Sequence, residues 1–453
     1  MHVLELLPEC IALLHHVTAP FFRGRFNSGL GAGQSQIDFA IHPGGASDGL
    51  GLARALVHVF DNIAEGQEAE SILRACVHCG FCTATCPTYQ ELNDERDGPR
   101  GRIYLMKMFL EGEAVTEKTR EHLDRCLTCR SCETTCPSGV QYGRLVDISR
   151  NFMEKEMPRP PQQRWIRWAL GRFIPNRRLF GFFLRMGQFF KPILPGALGA
   201  KVPPKKKASP WPTASHDRIV LALAGCAQPS ATPNTNAAAA RVLDRLGITM
   251  VEAPEAGCCG AVNHHLSEHE VALNAMRRNI DAWWPAIDAG AESIVMTASG
   301  CGAMVQDYGH LLKDDPVYAD KAQKVSELCT DIGAFLLQQD LSKLKVSSNA
   351  GKVAFHCPCT LQHAMKQNGV VDQVLRKAGV ELAQTKDKHI CCGSAGTYSI
   401  LQPELSQRLL KNKLAALTVD NPDRIVTANI GCQMHLETKS KVPVQHWIEL
   451  LDA

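Results

Sequence analysis

The apolar positions of this chain follow two different rhythms. Within residues 102–111, Ile103, Leu105, Met106, Met108, Phe109 and Leu110 supply enough apolar surface for a buried helix. Further on, Ser138 with Gln141 reads as a capping box opening a helix that ends near Pro158. From Asp217 onward, short apolar runs take over. Residues 219–224, 293–298, 353–356 and 424–429 predict strands. Residues 267–284, with Ser267 and Glu270 as a capping box, and 403–417 predict helices between them. Strands alternating with helices imply parallel βαβ units. Each predicted strand runs into cysteine, at Cys226, Cys301, Cys357 with Cys359, and Cys432. That is the carboxyl edge, where open α/β sheets hold their ligands.

Two stretches obey neither rhythm. Residues 1–60 contain a glycine-rich run in which Gly29, Gly31 and Gly33 are followed by Gln34, which breaks a G-x-G-x-x-G loop. This segment is expected to be a disordered extension or a gene-start artefact, with synthesis beginning near Val57. Residues 158–215 hold no acidic residue but interleave Arg164, Trp165, Arg167, Trp168, Phe182, Phe183, Arg185, Phe189 and Phe190. Such a basic and aromatic linker suits a lipid headgroup interface, and equally a helix docked on a partner subunit or a neighbouring domain. The resulting division is an extension at 1–60, a helical module at 61–157, the linker at 158–215, and α/β domains at 216–340 and 341–453.

The balance of residues narrows the setting. A chain of 453 residues that is 45% hydrophobic can bury substantial cores, and a net charge of +3 implies no global field for nucleic acid. The apolar stretch from Val3 to Leu14 is interrupted by Glu5, Pro8 and Glu9, so it does not read as a secretory signal. No run of about eighteen apolar residues predicts a spanning helix. Nineteen cysteines in metal-binding spacings point to a reducing compartment. The expected location is the cytoplasm, or the cytoplasmic face of the inner membrane if the linker binds lipid.

The chemistry lies in those cysteines. The run C-x-x-C-x-x-C-x-x-x-C-P occurs at Cys76, Cys79, Cys82, Cys86 and Pro87, and again at Cys126, Cys129, Cys132, Cys136 and Pro137. Each run sets three thiolates on one tight turn, while the fourth, before proline, reaches a second cluster. Two [4Fe-4S] clusters with crossed ligation are expected: Cys76, Cys79, Cys82 and Cys136 on one, and Cys126, Cys129, Cys132 and Cys86 on the other. Zinc knuckles also use C-x-x-C, but they take ligands in two pairs rather than in threes.

A second constellation is duplicated. Cys226, Cys258, Cys259 and Cys301 correspond to Cys359, Cys391, Cys392 and Cys432 at offsets of 133, 133, 133 and 131 residues. A glycine follows each Cys-Cys pair, letting the backbone approach closely or take a positive φ. These thiols form a metal or redox site in one or both halves, or are retained as small buried hydrophobes. His264, His265 and His356 stand near them and read as satisfied polar groups rather than ligands.

The stretches from Arg74 to Tyr89, Asp97-Gly-Pro-Arg-Gly-Arg-Ile103, Cys126 to Pro137, residues 297–304 and residues 428–435 resemble the iron–sulfur subunits of bacterial glycolate oxidase, also called glycolate dehydrogenase. The resemblance runs from about residue 60 to the end. It implies an α-helical ferredoxin module followed by two cysteine-rich CCG domains, working beside flavin-binding subunits that oxidise glycolate to glyoxylate and carry the FAD. The fullest CCG pattern ends in C-x-x-C, whereas this chain has Met304 and His435 there, so the non-cubane cluster of heterodisulfide reductases does not carry over directly.

No dinucleotide or flavin fingerprint is present, which leaves substrate chemistry to a partner and electron relay, to an acceptor such as quinone, to this chain. Other readings give it the same role in lactate or glycerol-3-phosphate oxidation, or make it a thiol/disulfide reductase centred on the Cys-Cys-Gly pairs.

Overall fold

The computed structural model describes residues 64–193, 199, 202–344, 346 and 350–452; the expected extension at 1–60 and the start near Val57 lie outside the described residues. The first module is built from helices. α1 (Ala64–Arg74), α2 (Pro99–Leu110) and α3 (Tyr142–Glu156) enclose a core of Ala69, Ile72, Ile103, Met106, Leu145 and Val146. α2 begins earlier than its apolar text because Pro99 occupies the first helical turn, where its fixed φ is preorganised and its missing N–H costs nothing.

Neither expected capping box forms. α3 starts from Gln141, whose side chain makes no cap hydrogen bond, because Ser138 is held in the turn that closes Gly139 N–H onto the Cys136 carbonyl. Ser267 adopts φ 64° and donates its N–H back to the His264 carbonyl, so the next long helix starts later than expected.

The described residues from 158 to 193 form more regular structure than the word linker suggests. Pro161–Phe173 (α4) and Arg177–Phe190 (α5) are both helical, and Asn176 caps α5 by accepting from the N–H groups of Arg178 and Leu179. Gly171 and Gly181 are the buried positions of the two helices. A Cβ on Gly171 would lie 2.5 Å from the Glu268 carboxylate, and one on Gly181 2.7 Å from the Ser230 hydroxyl. The small faces therefore lie against the first α/β domain, and the aromatics point outward.

That domain holds β1 (Arg218–Ala222), β2 (Ile248–Glu252), β3 (Ile294–Met296) and β4 (Cys329–Asp331) in an all-parallel sheet of order β2-β1-β3-β4. The long helix α6 (His269–Asp288) follows β2. The second domain repeats the plan with β5 (Val353–His356), β6 (Arg424–Thr427) and β7 (Val444–His446) in parallel order β5-β6-β7. A single parallel bridge from Val353 to Leu382 stands where β2 stands in the first. Helix α7 (Pro403–Leu417) spans the predicted residues, and α8 (Ile430–Glu437) follows β6.

The strands β2, β4 and β7 are not predicted by the apolar text, since two have only three residues and β2 carries Thr249 and Glu252. The two domains share one core, in which Val220, Val295 and Ile332 pack with Phe355, Leu375 and Trp447. Ser299 donates its N–H to the Ala428 carbonyl at 3.0 Å, joining the carboxyl ends of β3 and β6.

Candidate iron–sulfur and metal centres

The two cysteine runs repeat each other residue for residue. Left-handed backbone at His78 and Gly80 recurs at Thr128 and Arg130, and Thr85 and Thr135 meet hydroxyl to hydroxyl at 3.0 Å between the copies. In this conformation amide N–H groups turn toward sulfur: Thr128 N–H points at Cys126 Sγ at 3.4 Å. Cys86 and Cys136 both adopt extended backbone, with ψ 114° and 116°, and the following proline sends the chain away.

The fourth thiols consequently change sides. One cavity is lined by Cys76, Cys79, Cys82 and Cys136, with Cys132 in its wall. The other is lined by Cys126, Cys129, Cys132 and Cys86. The first opens outward: Cys79 is exposed, and Val77 and Phe81 beside it are 70% and 62% exposed. In the second, Cys86, Cys126 and Cys132 are buried. Burial, reinforced by Cys76, pushes the Cys82 thiol up to about 11, and burial pushes Cys129 and Cys132 well above the ordinary thiol range. Thiols crowded this way resist ionising unless a bound cation holds them as thiolates, which is the chemistry of an iron cluster.

The inner cavity carries a polar frame that local patterns do not reveal. The buried Arg102 guanidinium donates to the His122 carbonyl at 2.7 Å, to Thr88 Oγ1 at 3.0 Å and to Asp97 Oδ1 at 3.3 Å. Asp97 also takes Arg125 at 3.0 Å and faces His122 Nδ1 at 3.0 Å. Thr88 Oγ1 lies 3.3 Å from Cys86 Sγ, and the Tyr142 hydroxyl donates to Cys126 Sγ at 3.6 Å. Arg102 and Asp97 belong to a stretch singled out by resemblance, yet periodicity reads Arg102 only as the edge of a helix.

Each α/β domain assembles its four cysteines. In the first, Cys226 and Cys259 are the strongest influences on Cys258 and hold its thiol well below the ordinary range, while Cys258 and Cys301 push Cys259 well above it. In the second, Cys359 Sγ lies 3.8 Å from Cys391 Sγ, and the sulfurs of Cys392 and Cys432 lie within 4.8 Å of each other. Asn429 donates to Cys432 Sγ at 3.4 Å. The glycines after the pairs take φ 93° at Gly260 and 87° at Gly393, and a Cβ on Gly393 would meet the Ser406 carbonyl at 2.7 Å. Both the positive φ and the close approach are therefore needed. Cys357 packs into the shared apolar core. A feature unseen in the sequence is Lys413 of α7, 2% exposed, whose Nζ donates to the Asp387 carbonyl at 2.9 Å; burial lowers its ammonium below the ordinary lysine range, against the opposing pull of Cys392 and Cys391.

The inner cavity adjoins the second domain directly. Leu127, Cys391, Tyr398, Leu405 and Leu409 form one apolar cluster with Cys129 and Cys359 at its edge. The Tyr398 hydroxyl donates to the Arg125 carbonyl at 3.0 Å. After burial itself, Cys359 is the strongest influence on Cys129.

Residues 72–140 match the 4Fe-4S dicluster domain model, and residues 220–306 and 353–437 each match the model of a cysteine-rich domain. The glycolate oxidase iron-sulfur subunit of Escherichia coli K12 is 56% identical over 390 residues, covering 86% of this chain and 96% of that protein. The chain belongs to the glycolate oxidase iron–sulfur subunit family. A probable glycolate oxidase iron-sulfur subunit of Bacillus subtilis 168 is 30% identical, covering 84% of this chain and 94% of that one. Lactate utilization protein A of Bacillus licheniformis is 28% identical over 234 residues, which is 49% of this chain and 93% of that protein. Membership agrees with a helical module ahead of two cysteine-rich α/β domains. No described helix of this family member is long and apolar enough to cross a membrane.

Proposed function

We propose that this chain is the electron-transfer subunit of a glycolate dehydrogenase complex that also accepts D-lactate. It draws electrons from FAD on partner subunits and passes them through two [4Fe-4S] clusters to an acceptor such as quinone. Oxidising the hydroxy acid to the oxo acid leaves two electrons on the flavin, while each cubane carries one, so two clusters in series empty the flavin in single steps. The observation that carries the reading is the exchange of fourth thiols, Cys136 lining the outer cavity and Cys86 the inner. A shared crossing point puts the two clusters side by side. The exposed rim of Val77, Cys79 and Phe81 suits entry from a flavin subunit, and the contact of the inner cavity with Cys359 and Cys391 suits exit. The similarity to lactate utilization protein A supports lactate as a second substrate.

Helices α4 and α5 favour a peripheral membrane site. Trp165, Trp168, Phe182, Phe183, Phe189 and Phe190 are exposed, interleaved with exposed Arg164, Arg172, Arg177, Arg178 and Arg185, and no carboxylate lies within residues 158–215. Rings that sink to the acyl boundary beside cations that meet anionic headgroups would bring the subunit to a quinone pool.

Anaerobic purification of the complex, iron and sulfide counts and low-temperature EPR after reduction by glycolate test the reading. Cys79→Ser should abolish electron flow to an artificial acceptor while flavin reduction by glycolate survives. A normal rate through that variant, or clusters reduced by glycerol 3-phosphate but by neither glycolate nor lactate, would sink it.

A further inference from the structure

The two α/β domains carry matching cysteines but differ in what surrounds them. His356 ends β5, three residues before Cys359, and the position 133 residues earlier in the first domain is Leu223. Lys413 likewise has Ile280 as its counterpart. Leu223 and Ile280 are core residues. The second domain thus has an imidazole and a cation where the first has hydrocarbon.

His356 is 1% exposed, and neither ring nitrogen has a hydrogen-bond partner. Burying an unpaired polar group without compensation costs on the order of 1–3 kcal/mol, so two orphan ring nitrogens in one core are a strong mark of a missing ligand. One ring nitrogen of His356 and the sulfurs of Cys392 and Cys432 all lie within 4.8 Å of one another, and the two cysteines are 1% and 4% exposed. Tetrahedral zinc, with Zn–S near 2.3 Å and Zn–N near 2.0 Å, sets its donors about 3.6–3.8 Å apart, so closing this trio on an ion requires shifts of about 1 Å.

We propose that His356, Cys392 and Cys432 form a mononuclear zinc site in the second domain, separate from the cubanes. Two sulfurs and one imidazole nitrogen suit a borderline-soft divalent ion. The ion ties together the end of β5, the Cys-Cys-Gly turn and the start of α8. Asn429 supplies an outer bond to the Cys432 sulfur, as ligating groups require. The fourth position falls to a small exogenous ligand, or to Cys391, the neighbour of Cys392 in the Cys-Cys-Gly turn. Zinc has no redox chemistry, so the site fixes the geometry of the thiols facing the inner cavity and carries no electrons.

The test measures zinc and iron per chain by mass spectrometry on the anaerobically purified complex, with the cubane EPR signals as an independent check of folding. One zinc per chain is expected in the wild type. His356→Leu, which installs the first domain's residue, and Cys432→Ser should each lose that zinc with cubane iron and EPR unchanged, while Cys301→Ser in the first domain should keep it. Zinc-edge absorption should report one nitrogen with two or three sulfurs. Zinc retained by His356→Leu, an all-sulfur shell, or a wild type without zinc would overturn the site. Loss of cubane iron alone would count against the relay and leave the zinc site standing.

Discussion

Replacing Arg102 by methionine isolates the electrostatics of the inner cluster. The guanidinium is 1% exposed and reaches the cluster through Thr88, which lies 3.0 Å from Arg102 Nη1 and 3.3 Å from Cys86 Sγ. Those two contacts set the charge on the order of 8 Å from the cluster centre, where at an effective dielectric constant of about 20 a unit charge is worth about 2 kcal/mol. For a one-electron couple that is a fall of about 90 mV in midpoint potential, because an added electron loses a favourable partner. The outer cluster should move much less. Asp97 keeps Arg125 and His122, so the variant leaves no wholly unpaired carboxylate and should remain folded at a cost of about 3 kcal/mol. An EPR-monitored redox titration of the complex resolves the two potentials. Equal shifts in both, or none in either, would refute the placement of Arg102 beside one cluster only.

Three further outcomes follow from the same geometry. Cys86→Ser should alter the EPR signal of the inner cluster although its neighbours Cys76, Cys79 and Cys82 serve the outer one, and Cys136→Ser should do the reverse; signals that follow the sequence runs instead would contradict the crossing. Binding of the complex to anionic vesicles should weaken several-fold on Phe189→Asp or on paired Arg178→Glu and Arg185→Glu, and should weaken with salt; sedimentation that ignores all of these would remove the membrane role. Burial raises the Asp147 carboxyl, yet His265 at 3.4 Å and His264 at 3.6 Å win and hold it well below its ordinary value. A carboxyl depressed on folding contributes stability that is present above about pH 4 and lost as pH falls through its folded value, so Asp147→Asn should cost about 2 kcal/mol at neutral pH and flatten the acid limb of unfolding.

The grouping of the eight cysteines around two cavities was legible because three-residue steps and a terminal Cys-Pro are local geometric patterns that leave a trace in neighbouring positions. The same holds for Gly260 and Gly393, whose φ of 93° and 87° only glycine adopts cheaply. What stayed hidden is non-local. Arg102 meets the His122 carbonyl twenty residues on, and Lys413 closes from α7 on Asp387, twenty-six residues earlier. Neither contact has a period or a spacing. The capping boxes failed for the opposite reason: Ser138 and Ser267 fit the local rule, but each was already committed to the turn before it. His356 fitted the base rate for a histidine in a core, and only its two unpartnered nitrogens separate it from that rate.

The unequal attachment of the two cysteine-rich domains gives the duplication a direction. The first domain meets the helical module through ion pairs and histidines: Arg130 to Asp307 at 2.9 Å, His310 to Glu68 at 3.1 Å, and Asp147 against His264 and His265. The second has polar contacts of its own, Arg408 to Glu91 at 3.0 Å and Thr134 Oγ1 with His363 Nδ1 at 2.8 Å, but beside the inner cavity it adds hydrocarbon and sulfur, with Leu127, Tyr398, Leu405 and Leu409 around Cys391. Electron transfer favours short, dry contact, and polar contact adds reorganisation. On the relay reading, the second domain then lies on the electron path, and the first serves to hold α4, α5 and the module in register. Substituting the first-domain thiols should therefore slow the complex only through its assembly. Substituting Cys359 should slow turnover with assembly intact, and if Cys359→Ser turned over at the wild-type rate, the exit would have to be sought elsewhere on the module.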